Sequence, residues 1–138
     1  MLSSSRFVVA IHALSVLARF GKEGPVCSSM IASSVQTNPV VIRRLMAELE
    51  RAKLVRSTSG RSGGFQLDRQ PSGITLADIY NAVEDDAVFR MHKIDTDSKC
   101  PVAAHMKKIL VEPFRAAEDA LSTSLARTTL HDVASTIA

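Results

Sequence analysis

Thiols are scarce in this chain. Cys27 and Cys100 are the only cysteines among 138 residues, too few for a disulfide scaffold and in keeping with a reducing compartment. Long apolar runs are missing too. The richest stretch, Phe7 to Phe20, is interrupted by His12 and Arg19, whereas a membrane span needs about 20 apolar residues. The first residues carry no cleavable export pattern. Together these absences predict a cytoplasmic protein with no membrane partner. No nucleophile-base pair, phosphate-binding loop or metal quartet appears either, which argues against an enzyme. The neighbouring carboxylates Glu84, Asp85 and Asp86 lack such companions and read as the solvated end of a helix.

What is present is an uneven distribution of charge. Residues 1–70 hold ten Lys or Arg against four Asp or Glu, while residues 71–138 hold seven against ten. A basic half attracts a polyanion at range, and an acidic half does not. Six arginines fall between positions 43 and 69, so the positive charge is concentrated on one segment. The length suits a single folded domain, with room for an appended oligomerisation element.

That segment centres on CSSMIASSVQTNPVVIRRLMAELERAKLVRSTSGRSGG, residues 27–64, whose grammar is helix, turn, helix, strand and glycine-rich loop. Ser28 or Ser29 is expected to cap a short helix ending near Gln36, through a hydroxyl that accepts from a first-turn amide. Asn38 before Pro39 opens a second helix, because proline holds its predecessor extended, where an N-cap sits, and loses nothing at the first helical position. In that helix Ile42, Leu45, Met46 and Leu49 recur at i, i+3, i+4 and i+7 and must face a core. Val40, Arg43, Arg44, Ala47 and Arg51 are left outward. A short helix with two adjacent arginines suits a DNA major groove, where arginine pairs bidentately with guanine; on its own the pair would equally suit a solvated helical face. Leu54–Ser57 and Phe65–Leu67 read as two strands joined by the turn GRSGG, with Arg61 at its tip. A helix-turn-helix followed by a hairpin with a basic tip is a winged helix.

The flanking segments complete the plan. Ser3–Ser5 should cap a first helix that runs to Phe20 and stops at Gly21. Its apolar residues cover more than one face, which predicts burial under the winged unit and against another subunit. After a loop at Gln70–Gly73, Thr75 and Asp78 approximate a capping box, and Leu76, Ile79, Tyr80 and Val83 give the next helix a buried stripe. Phe89–Cys100 loses periodicity and reads as a loop. A long helix then starts at Pro101, with Met106, Ile109, Leu110, Phe114 and Leu121 on its apolar side; a symmetric dimer is the commonest way to cover such a stripe. Pro113 inside it predicts a kink near Glu112, and residues 129–137 should fold back as a short final helix. The fold class expected is therefore mainly α with a small β-hairpin, a winged helix-turn-helix plus a long C-terminal dimerisation helix. Residues 1–72 form the DNA-binding region, and residues 73–138 the regulatory loop and dimerisation helices, in one continuous domain.

Four blocks, TNPVVIRRLMAELERAKLV, GRSGGFQL, ITLADIYNAVE and KCPVAAHMKKIL, resemble in content and order the Rrf-two family of bacterial winged-helix repressors, above all its cluster-less YwnA-like branch. The resemblance implies a homodimeric transcription regulator, most often a repressor, whose partner is double-stranded DNA carrying a pseudo-palindromic operator. Carried onto this chain it makes Thr37, Asn38, Val40, Arg43 and Arg44 groove-facing, makes Ser59–Gly64 the wing with Arg61 its minor-groove or phosphate contact, and puts Ser28 and Ser29 where they can bond phosphate at a helix start. Members that bind an iron-sulfur cluster do so through three cysteines, whose positions here hold Val88, Ile94 and Cys100. One thiolate is not enough, so the chain is expected to need no cluster, metal or other cofactor. Cys100, at a helix N-terminus beside Lys99, is a redox-sensing candidate, the plainer reading being a structural turn residue. An unknown small molecule is an equal candidate for the signal. The alternative function is a winged-helix protein-interaction module without specific DNA binding.

Overall fold

In the computed structural model, which describes residues 5–85 and 87–137, the apolar periodicities of the chain converge on one core. Its contributors are Ala10, Ala13, Leu14 and Leu17 from α1 (Arg6–Phe20), Ile31 and Ala32 from α2 (Ser28–Val35), and Ile42, Leu45, Met46 and Leu49 from α3 (Pro39–Arg51). Leu54, Val55, Ile74, Ile79, Val83 and Leu130 close it from the other elements. Each large apolar side chain taken fully out of water stabilises the fold by about 1.5–3 kcal/mol. The four-residue stripe read from α3 is buried in full.

α1 is buried along one side, through Ala10, Ala13, Leu14 and Leu17. Val8 is 64% and Phe20 51% exposed, on the side that no other described part of this chain covers. Ser3 and Ser4 lie outside the described residues, and Ser5 occupies the cap position without a side-chain bond. A 3-10 turn over Gly21–Glu23 follows.

The start of α2 departs from expectation. Its N-cap is Cys27, extended at φ −72° and ψ 156°, and Ser28 and Ser29 are already helical. The cause is a long-range one. Val26 pairs with Phe65 through two backbone hydrogen bonds, Val26 N to Phe65 O and Phe65 N to Val26 O, both 2.9 Å, so the chain remains extended as far as Cys27 before it can coil. α2 ends on Gln36 in the left-handed conformation, φ 66°, which turns the chain toward α3. There Asn38 caps as expected, its Oδ1 accepting from Val40 N at 2.8 Å.

After α3 the chain leaves the helix through Lys53 at φ 61°. β1 (Val55–Thr58) and β2 (Gly64–Leu67) pair antiparallel, with Val55 opposite Leu67 and Thr58 opposite Gly64. β1 begins one residue later than the alternation indicated, because the Leu54 amide is still bonded back to Leu49 O of α3 at 3.0 Å. Gly60 in the connecting loop sits at φ +102°, a conformation that favours glycine.

A 3-10 turn over Pro71–Gly73 leads into α4 (Leu76–Val83). Its capping box is complete: Asp78 N donates to Thr75 Oγ1 and Thr75 N to Asp78 Oδ2, both at 3.0 Å. The irregular stretch that follows is pinned rather than free. Phe89 stacks on Phe114 with ring centroids 4.5 Å apart, and Val88 N donates to Glu118 Oε1 at 3.2 Å. α5 (Pro101–Leu125) is helical throughout its 25 residues, Pro113 included, a length of about 37 Å. It touches α4 but contains no fully buried residue. Met106, Leu110, Phe114 and Leu121 are half-buried, while Val102 and Ile109 are 62% and 61% exposed.

α6 (Leu130–Ser135) returns to pack on α1. Leu130 is fully buried, and a second capping box, Thr129 with Asp132, starts the helix. Two backbone bonds fasten its base: Leu76 N to Thr128 O at 2.9 Å and Leu130 N to Ile74 O at 2.8 Å.

Candidate nucleic-acid interface

Because one side of α3 is fixed against the core, its opposite side is fixed outward. At 100° per residue Val40 lies in the middle of that side, with Arg44, Ala47 and Arg51 following it at i+4, i+7 and i+11; all four are exposed. Arg43 occupies the flank nearer α2, where its Nη1 donates to Ser28 Oγ at 3.3 Å. Arg44 occupies the flank nearer α1, lining with Thr37, Val41 and Arg6 an open cleft of about 210 Å³.

The electrostatics follow from which carboxylates are already engaged. Glu48 is ion-paired with Arg6 of α1, and Glu50 accepts from Ser57 Oγ of β1 at 2.8 Å. Among the described residues no carboxylate lies within ion-pairing distance of Arg43, Arg44 or Arg61. The outward face is therefore cationic and uncompensated. Arg56 serves the base of the hairpin instead, through Leu67 O at 3.3 Å and Asp68 at 3.6 Å.

The expected site residues divide into two groups. Ser28, Ser29, Thr37, Asn38, Val40, Arg43 and Arg44 sit around the α2–α3 turn and the start of α3. Ser28 and Thr37 are half-buried and the rest exposed. Asn38 Oδ1 is committed to its cap, leaving only its amide nitrogen to face outward. Arg61 is exposed at the wing tip, which borders a cleft of about 450 Å³ shared with Phe20, Pro25, Cys27 and Met30. The wing thus reaches the start of α2 rather than standing apart from it.

Two residues escaped the sequence reading. Val41 is 48% exposed beside Val40 at 44%. Cys27 places an exposed thiol at the edge of the surface, held below its ordinary pKa first by the Ser29 hydroxyl and then by the Met30 amide. The available signal was the cysteine directly ahead of a helix start, the same arrangement that marked Cys100. There the amides of Ala103, then Val102, lower the thiol, so the helix terminus rather than Lys99 is the cause. Cys100 is exposed at the N-cap of α5.

A helix-turn-helix whose second helix presents uncompensated arginines, braced by a hairpin with a basic tip, defines a winged helix-turn-helix DNA-binding protein. The chain belongs to the Rrf2 family of transcriptional regulators, whose profile, described as an iron-dependent transcriptional regulator, matches residues 3–136. YwnA of Bacillus subtilis, provisionally named an HTH-type transcriptional regulator, is 37% identical over 131 residues, covering 94% of this chain and 95% of that protein. Among solved structures, CymR, the global cysteine regulator of B. subtilis, is 27% identical with a TM-score of 0.70, covering 98% of this chain and 97% of its own. IscR of T. potens is 25% identical with a TM-score of 0.67, covering 94% and 83%.

The family description raises iron, and the donor set decides whether this chain fits it. Val88 and Ile94 bring no donor atom to the loop ahead of α5, and Cys27 belongs to the winged unit instead. Among the described residues no three His, Cys, Asp or Glu side chains gather to hold a metal ion. These residues do not fit an iron-sulfur cluster. No helix among the described residues is long and apolar enough to cross a membrane.

Proposed function

We propose that this chain acts as a cytoplasmic homodimeric repressor, reading a pseudo-palindromic operator through α3 and the wing, residues 59–64, without an iron-sulfur cluster. The observation that carries the reading is the pair Arg43 and Arg44, turned outward by a buried stripe and left without carboxylate partners. A bidentate arginine-guanine pair is worth about 1–3 kcal/mol of discrimination, enough to specify a base. Thr37, Asn38 and Val40 complete the groove-facing group, Ser28 and Ser29 contact phosphate, and Arg61 follows the backbone or minor groove. Residues 1–72 read DNA; residues 73–138 pair subunits and receive the signal. The dimer is supported by α5, a helix with no buried residue and a line of exposed apolar ones. Met106, Ile109, Leu110, Phe114 and Leu121 form its contact side, Phe114 also holding Phe89 of its own chain. Two reading helices related by a two-fold axis then meet half-sites about 34–36 Å apart, or a multiple of that distance. Cys100 is the candidate receiver of an oxidant signal, its thiol exposed at the N-terminal end of α5. The relatives are regulators of transcription, and no catalytic step is assigned.

Gel-shift titration against a selected operator tests the reading. Arg43→Ala and Arg44→Ala should each cost about 1–3 kcal/mol and relax base preference, whereas Arg61→Ala should weaken all sequences alike and lower the salt slope by about 1. Unchanged affinity in all three variants would remove the proposed surface.

A further inference from the structure

The first turn of α3 spends two positions on exposed, β-branched apolar side chains, Val40 and Val41, 44% and 48% exposed. Neither choice favours an isolated helix. Branching at Cβ lowers helix propensity, and apolar surface in water has no return. Two other helix starts use this position differently: α4 and α6 each carry an aspartate, Asp78 and Asp132, at the third helical position to complete a capping box, whereas α5, which also opens on proline, follows it with exposed Val102. In α3 that position is Val41, and the first turn contains no acidic residue.

Most acceptors near this turn are already used. Asn38 Oδ1 receives Val40 N, Ser28 Oγ receives Arg43, Glu48 pairs with Arg6, and Glu50 receives Ser57. Beyond the Thr37 hydroxyl and the Asn38 amide nitrogen at its start, what α3 itself leaves for a ligand is guanidinium donors with methyl groups between them. Among major-groove edges guanine presents two acceptors and thymine an acceptor and a methyl group, whereas adenine and cytosine each present an amino donor that needs an acceptor. Resting on the assignment of α3 as the reading helix, we infer that each half-site carries a thymine next to a guanine on the strand facing the first turn, and that Val40 reads the thymine C5-methyl group. Val40 is the residue so assigned because it lies at the centre of the outward face, between Arg43 and Arg44; Val41 flanks it on the α1 side.

The experiment enriches duplexes from a random library with the full chain, then replaces each thymine of the best duplex by uracil, which removes one methyl group and nothing else. Affinity should fall about fourfold per half-site, the value of one buried carbon, at one thymine adjacent to a guanine. With Val40→Ala the same uracil duplex should bind no worse than the thymine duplex, while Val41→Ala should keep the sensitivity. Val40 is exposed, so its variant should melt like the parent protein. An enriched operator indifferent to uracil at every position overturns this inference and leaves the reading surface standing, as does a uracil effect that persists in Val40→Ala. Failure to enrich any sequence overturns the assignment of the reading helix, and the inference with it.

Discussion

Replacing Gly64 with alanine would set a methyl group well inside van der Waals contact with the carbonyl oxygen of Val26 and 2.9 Å from the amide nitrogen of Cys27. Both are backbone atoms, so no rotamer change relieves the contact. The strand must retreat, and what it retreats from is the two-bond pairing between Val26 and Phe65. Each such bond contributes about 0.5–1.5 kcal/mol net, and loosening half-buried Phe65 from the core adds about 1 kcal/mol. The sum, about 2–4 kcal/mol, is a large part of the 5–15 kcal/mol typical of a folded domain. Gly73→Ala is the internal control: no atom lies within 4 Å of its added carbon and its φ is ordinary, so it should gain about 0.4–1 kcal/mol from a less disordered unfolded chain. Urea unfolding followed by circular dichroism, at one fixed protein concentration because self-association couples stability to concentration, gives both values from shifts in the midpoint. Under conditions where it remains folded, Gly64→Ala should also lose more DNA affinity than Arg61→Ala, since it displaces the wing and not one side chain. Gly64→Ala unfolding within about 0.5 kcal/mol of the parent would mean that the Val26 pairing does not anchor the hairpin, and the account of the wing would fail.

Three further outcomes are expected. Leu130→Ala should destabilise the chain by about 2–5 kcal/mol, because it empties the one fully buried side chain by which α6 is docked; a loss under about 1 kcal/mol in the same unfolding assay would show α6 to be loosely held. Ile109→Glu, on an exposed line of α5, should leave the helical signal intact and halve the sedimenting mass; a persistent dimer would remove Ile109 from the contact. Cys100 should be alkylated at lower pH than a free cysteine, since first-turn amides lower its pKa and the thiolate therefore persists as pH falls below the ordinary range. Iodoacetamide rates against pH in a Cys27→Ser background check this, and a profile that superimposes on a model peptide would refute it.

Where a feature depended on neighbours in sequence, it was legible. Asn38-Pro39 announced the start of α3 because cap and ring act within two residues, and the 3.6-residue spacing of Ile42, Leu45, Met46 and Leu49 named the buried side outright. The capping box at Thr75 and Asp78 is equally local. Features set by distant partners were not legible. Cys27 rather than Ser28 begins α2 because Phe65, far along the chain, holds Val26 extended. The stacking of Phe89 on Phe114 gives an aperiodic loop a fixed attachment that neither segment advertises alone. Within the site, the arginines were visible as a pattern, but their lack of partners was not, since it depends on Arg6 and Ser57 having taken the nearby carboxylates.

The clasp at the foot of the long helix has a mechanical consequence. Ile74 and Leu76 on one side and Thr128 and Leu130 on the other are stitched together, so everything from α4 to the end of α5 is a loop of chain tied shut at its neck. A strut fastened at its root in this way cannot swing independently of the body it grows from. If two copies join along their struts, a change in how they lean on each other must be delivered to α1 and α4, and from α4 to its neighbour α3, turning a small shift at the seam into a change in the spacing of the two reading heads.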